Sequence, residues 1–237
     1  MPKPLPAGAV VVAANAGSDY LFVPDGKIDT VRAAVASLQS RLPFGAIFVS
    51  DKHGAISGTL PMSLIQTETS GPGRAPDIIV SFSFDETVSV AGKSGVSYAS
   101  SINRRGDHGS FSPTDTHISL LASGPDFKAG FNDALPTANV DIAPTVARIL
   151  HFGLPGAQGR VLEEALQGGP SVADYAVLSK THRSSVKTGL IMKRPTDLDG
   201  RTIDPNLTKY SVELETKILT RGGASYTYFD QAKAVRE

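Results

Sequence analysis

Residues 29–49, DTVRAAVASLQSRLPFGAIFV, decide the fold class. Val31, Val35, Leu38 and Leu42 recur at spacings of four, three and four, which places them on one face of a helix over 29–42, while Arg32, Gln39 and Arg41 fall elsewhere. Pro43 ends that pattern, and AIFV at 46–49 reads as a buried strand. Before the helix, residues 9–14 and 20–23 are short apolar runs separated by Asn15, Ala16, Gly17, Ser18 and Asp19, so a first strand pair is expected. Strand, helix, strand is the pattern of an α/β layer. Beyond it, 57–75 reads as a connection with a short element, DIIVSF at 77–82 as a strand, and 85–101 as a loop with a weak strand.

The stretch RGDHGSFSPTDTHISLLASGP at 105–125 reads as a polar loop feeding a buried strand at 118–122. Residues 126–138 follow as a loop. A helix over 142–152 comes next, with Asp141 able to cap it, Pro144 in its first turn, Gly153 closing it, and Ile142, Val146, Ile149 and Leu150 as its inner face. GRVLEEAL at 159–166 reads as a second short helix, and Gly168, Gly169 and Pro170 break the pattern. The tail differs in character, because 185–192, 209–219 and 224–229 are β-rich and separated by turn residues. The expected architecture is an α/β domain over 1–170, a mixed sheet flanked by helices, with a small antiparallel β appendage over 171–237.

The 237 residues carry 23 basic and 23 acidic side chains, so no global field draws the chain to a nucleic-acid polymer or an anionic membrane. The absence of cysteine excludes disulfides, thiolate ligands and a cysteine nucleophile, and leaves the compartment open. The N-terminal apolar run, interrupted by prolines, is too weak for a signal peptide and too short to span a bilayer.

His108 is the leading candidate for a working residue, set in a loop with Asp107 and Gly109 on either side. Asp107 either orients His108 or caps the turn. Asp51 and His53, in SDKHG at the end of the 46–49 strand, read two ways: as a metal-ligating pair where strand ends face a crevice, or as an exposed turn. Thr114, Asp115 and Thr116 read as loop-fixing residues of a Ser-Pro-x-Asp turn. His117 reads as a partly buried structural histidine, His151 as a residue favoured by a helix C-terminus, and His182 as solvated. Gly71-Pro72-Gly73 and Gly222-Gly223 match no phosphate loop, and the absence of a Gly-x-Ser-x-Gly elbow argues against a Ser-His-Asp hydrolase.

Three runs, HGSFSPTDTHISLLASGPDFKAGF from His108, NVDIAPTVARIL from Asn139 and GRVLEEAL from Gly159, resemble the alkaline phosphatase superfamily in its type I phosphodiesterase and nucleotide pyrophosphatase branch. The resemblance covers the C-terminal part of that catalytic domain. It implies a two-zinc site in which Asp and His ligands hold the ions and a threonine or serine attacks the phosphorus of a phosphate-ester small molecule. The family's last histidine ligand falls on His108. The nucleophile and the Asp-x-x-x-His ligand pair have no counterpart here, and Lys52 interrupts the Asp-His-Gly pattern at Asp51 to Gly54. The resemblance therefore implies a phosphodiesterase lineage with an incomplete site, its missing ligands lying upstream of Met1. Three forms of that expectation are a fragment with little activity alone, a half-enzyme completed by another chain or by oligomerisation, and a non-catalytic binding module.

Overall fold

The computed structural model describes residues 4–67, 75–90, 92–97, 108–193, 196, 199–202 and 206–237. The chain opens with a hairpin, β1 (Val11–Asn15) and β2 (Ser18–Phe22), closed by Ala16 and Gly17 alone. The helix expected next is α1 (Ile28–Gln39), with Val31, Val35 and Leu38 buried. It stops three residues before the expected end, where the Ser40 N–H closes onto Ala36 O, so Leu42 lies beyond the helix. β3 (Phe44–Val49) and β4 (Leu60–Pro61) run parallel, and β5 (Ile78–Phe82) runs antiparallel to both β2 and β3. The result is a mixed five-stranded sheet in the order β1-β2-β5-β3-β4. All five residues of β5 are buried, as a central strand with two covered faces requires.

β6 (Phe84–Val90) and β7 (Lys93–Ser97) form an antiparallel pair where the sequence reads loop with a weak strand. α2 (Pro113–Thr116) is a single turn, and α3 (Ile142–Ile149) is the second helix of any length. β8 (Ala176–Arg183), β9 (Tyr210–Arg221) and β10 (Ala224–Arg236) make a three-stranded sheet in the order β10-β9-β8. Gly222 and Gly223, both at positive φ, close the β9-β10 hairpin. The strand expected at 185–192 forms only an isolated bridge, Lys187 to Tyr210, and the regular strand lies earlier, at β8.

The chain folds as two compact units, and the division does not fall at residue 170. The first comprises Met1–Ile118, Thr181–Leu214 and Asp230–Glu237; the second comprises Ser119–Lys180 and Glu215–Phe229. In the first unit the tail is not an appendage. Tyr210, Val212, Leu214 and Ala232 belong to the same buried cluster as Val31, Ile47, Phe48 and Ile79. Tyr210 is fully buried, its hydroxyl donates to Gly45 O at 2.5 Å, and the Arg236 guanidinium lies 4.9 Å over its ring. Each such side chain contributes roughly 1.5–3 kcal/mol by leaving water.

The second unit departs most from expectation. Residues 118–122, all but Ile118 in this unit, are irregular and exposed, with Leu121 at 93 % exposure, because no strand among the described residues pairs with them. GRVLEEAL is not a helix beyond a short 3-10 turn at Glu163–Ala165. Its Arg160 and Glu164 instead form a buried bidentate pair, at 2.6 and 2.8 Å. Asp141, also buried, accepts from Ala138 N, Arg160 N and the Tyr228 hydroxyl. Thr145 Oγ1 in turn accepts from Leu162 N at 3.0 Å. Polar side chains thus take the centre of this unit.

Candidate functional site

His108 stands exposed on a loop that is clamped to the β1-β2 turn. Its carbonyl accepts the Gly17 N–H at 2.7 Å, and Gly17 O accepts the Phe82 N–H at 2.9 Å, which ties the loop to one end of the sheet. The seat depends on two glycines. A Cβ on Gly17 would lie 2.6 Å from Ser110 N, and one on Gly109, at φ +88°, would lie 2.8 Å from Asn15 Nδ2. Asp115 accepts from both the N–H and the hydroxyl of Ser110, at 2.9 and 2.6 Å. The Ser112 hydroxyl accepts from Thr114 N and so caps α2, and Thr116 donates back to Ser112 O. Phe111 N–H donates to Ser81 Oγ, and its ring packs 4.9 Å from Phe48. Thr114, Asp115 and Thr116 therefore fix this loop, in keeping with the turn read from sequence. Asp107 lies outside the described residues.

Asp51 and His53 sit in a 3-10 turn after β3, at the other end of the sheet. The Asp51 carboxylate accepts from the Ser63 hydroxyl and N–H, at 2.6 and 3.0 Å. His53, its side chain 7 % exposed, places Nε2 2.7 Å from Asp77 Oδ1, and Lys52 Nζ lies 2.8 Å from the same oxygen. Asp77 Oδ2 accepts the Val23 N–H at 2.6 Å. Burial alone would raise the Asp77 carboxyl, but the Lys52 ammonium, the Val23 N–H and His53 together hold it below the usual carboxylate range. His53 thus turns to Asp77 and not to Asp51.

The two ends are far apart. The His108 loop bonds to Gly17, just before β2, and Asp77 to Val23, just after it, six residue steps or roughly 20 Å apart along the extended chain. Metal ligands lie about 2 Å from their ion, so His108 cannot share one with Asp51 or His53. Among the described residues no group of three or more His, Asp or Glu side chains is placed to hold a metal ion. These residues do not fit a two-zinc centre as they stand.

No protein-family model, no curated protein and no solved structure matches the chain.

His53 with Asp77 has the form of a carboxylate-oriented imidazole, the arrangement that activates a hydroxyl nucleophile. Here Lys52 shares the carboxylate, and no described hydroxyl bonds the ring, so the trio serves as a staple between the ends of β3 and β5. Asp77 is not a candidate from sequence, since it lies 24 residues from its histidine. His117, read from sequence as partly buried at the start of a strand, instead follows α2 and is exposed, with its imidazole paired to Asp230 on β10. His151 lies just beyond α3 at φ +57°, with Arg148 and Ile149 lining the same shallow polar pocket of about 310 Å³. None of the described helices is long and apolar enough to cross a membrane.

Proposed function

We propose that this chain is the histidine-bearing part of a metal-dependent phosphoric-ester hydrolase of the phosphodiesterase type and is not competent for turnover by itself. Three sequence runs support the lineage, and the exposure of His108 on a firmly clamped loop suits a side chain that meets a ligand from outside its own unit. The observation that carries the second half of the proposal is the length of β2 between His108 and the Asp77 cluster. One imidazole does not hold zinc firmly, because affinity comes from completing the coordination shell. In a complete centre the residue of this chain that would hold the metal is His108, through an imidazole nitrogen. A second reading, a binding module without chemistry, is favoured by the apolar side chains that the second unit turns to solvent.

The test is zinc content by elemental analysis, together with hydrolysis of bis-nitrophenyl phosphate with and without added zinc. The expected result is substoichiometric zinc and no turnover. Stoichiometric zinc that disappears in His108→Ala, accompanied by turnover, would overturn the proposal.

A further inference from the structure

The second unit keeps its polar side chains inside. Asp141, Thr145, Arg160 and Glu164 are buried, and α3 turns Pro144, Thr145 and Ala147 inward, so Ile142, Val146 and Leu150, read from sequence as an inner face, form the outer one. Within this unit two carboxyl groups meet, for the Asp133 side chain hydrogen-bonds that of Glu164. Two carboxylates cannot make that bond, because each is an acceptor only, so one of the pair holds a proton.

The remaining partners decide which. Glu164 Oε2 accepts from Arg160 Nη1 at 2.8 Å and from the Tyr175 hydroxyl at 3.0 Å, as a carboxylate does. Glu164 Oε1, buried, lies 2.6 Å from Arg160 Nη2 as an ion pair but accepts no aligned hydrogen bond, which leaves it open to a donor. Asp133 Oδ1 accepts the Leu135 N–H at 3.0 Å, and its other oxygen is left to carry the proton. Burial raises the Asp133 carboxyl, the Leu135 N–H offsets part of this, and Glu164 raises it further against the weaker pull of Arg160. Burial raises Glu164 too, but Arg160 outweighs it and holds that carboxyl below its usual range. The other charged and titratable groups of the cluster are engaged with one another. Tyr228 bonds Arg160 and Asp141, Arg221 pairs with Glu163 and lies over the Tyr175 ring, and Lys128 Nζ donates to Glu164 O, Gly169 O and Pro170 O.

Asp133 lies in a segment that little else holds. Residues 129–137 make no backbone–backbone hydrogen bond, although the neighbours on either side are anchored, Lys128 N–H to Ala165 O and Ala138 N–H to Asp141. Between those anchors, Asp133 bonds Glu164, and Pro136 O accepts from Arg160 Nη2 at 3.1 Å. We propose that 129–137 is a strap latched by a proton: Asp133, as a carboxylic acid, donates to the Glu164 carboxylate, and loss of that proton releases the strap. An ionised Asp133 would instead set a like charge against Glu164. The folded unit binds this proton more tightly than the unfolded chain, whose aspartates ionise at about 4. The stability supplied by the latch is therefore complete below about 4 and is lost as pH rises through the folded value, the opposite sign to Asp77.

Hydrogen exchange of the full chain, read by mass spectrometry on peptides covering the strap, tests this by comparing the parent with Asp133→Asn at equal pH. Asparagine keeps the shape and offers Glu164 an N–H donor at every pH. At about pH 4 the two chains are expected to protect the strap equally, whereas at about pH 8 the parent exchanges at least roughly tenfold faster. A ratio that stays the same at both pH values would overturn the proposal. Titration of the side-chain carboxyls of the parent by carbon-13 NMR gives a second readout that does not depend on how the variant folds, the Asp133 signal being the one missing from Asp133→Asn. An inflection above the ordinary value of about 4 is expected, and one at or below it would equally overturn the latch.

Discussion

His151 occupies the left-handed position that ends α3, with φ +57°. The Phe152 N–H donates to Ala147 O and the His151 N–H to Arg148 O, the paired bonds of a Schellman motif. Glycine usually fills that position because an L side chain there costs about 1 kcal/mol. The sequence points to Gly153 as the stop, but the turn closes two residues earlier, and His151→Gly is expected to raise stability by about 1 kcal/mol in urea unfolding. Gly109 presents the opposite case. Gly109→Ala would combine φ +88° with a Cβ 2.8 Å from Asn15, so a loss of about 1–3 kcal/mol is expected, read as a lower urea midpoint.

Among the elements, the segment 159–166 shows how a helical reading fails. Val161, Leu162, Ala165 and Leu166 have helical spacing, yet the decisive contacts are made by Arg160 and Glu164, whose side chains are 3 % and 0 % exposed. Burial raises the Glu164 carboxyl, but the Arg160 guanidinium outweighs it and holds the group ionised. Glu164→Gln leaves the buried guanidinium uncompensated, and a loss of about 3–5 kcal/mol is expected from the unit that contains it. The double change Arg160→Met with Glu164→Leu should recover much of that loss, and differential scanning calorimetry of the parent chain and both variants checks both expectations. α1, β3 and β5 are legible because apolar spacing alone fixes which face is covered. The strand expected at 118–122 is not, because an apolar run becomes a strand only where another strand supplies its hydrogen bonds. The same limit applies to the site. Ser110, Ser112 and Asp115 fix the His108 loop through bonds spanning two to five residues, which sequence shows, whereas His53 depends on a carboxylate 24 residues away.

For the whole molecule, acid is the informative stress. Burial raises the Asp77 carboxyl, but Lys52, the Val23 N–H and His53 lower it further, so its folded value lies below the unfolded one. The stability it contributes is complete above the unfolded value of about 4 and is lost as pH falls through the folded value. Asp77→Asn is therefore expected to flatten the acid limb of a stability-against-pH curve; an acid limb as steep as that of the parent chain would contradict this role.

The interleaving of the two units also governs the order in which the protein is made. Tyr210, Val212, Leu214 and Ala232 complete a buried cluster begun by Leu21 and Val23, so during synthesis from the N-terminus the first unit has all its core residues only once Ala232 has left the ribosome. For roughly two hundred codons after α1 emerges, Val31, Val35 and Leu38 belong to a cluster that still lacks its C-terminal members.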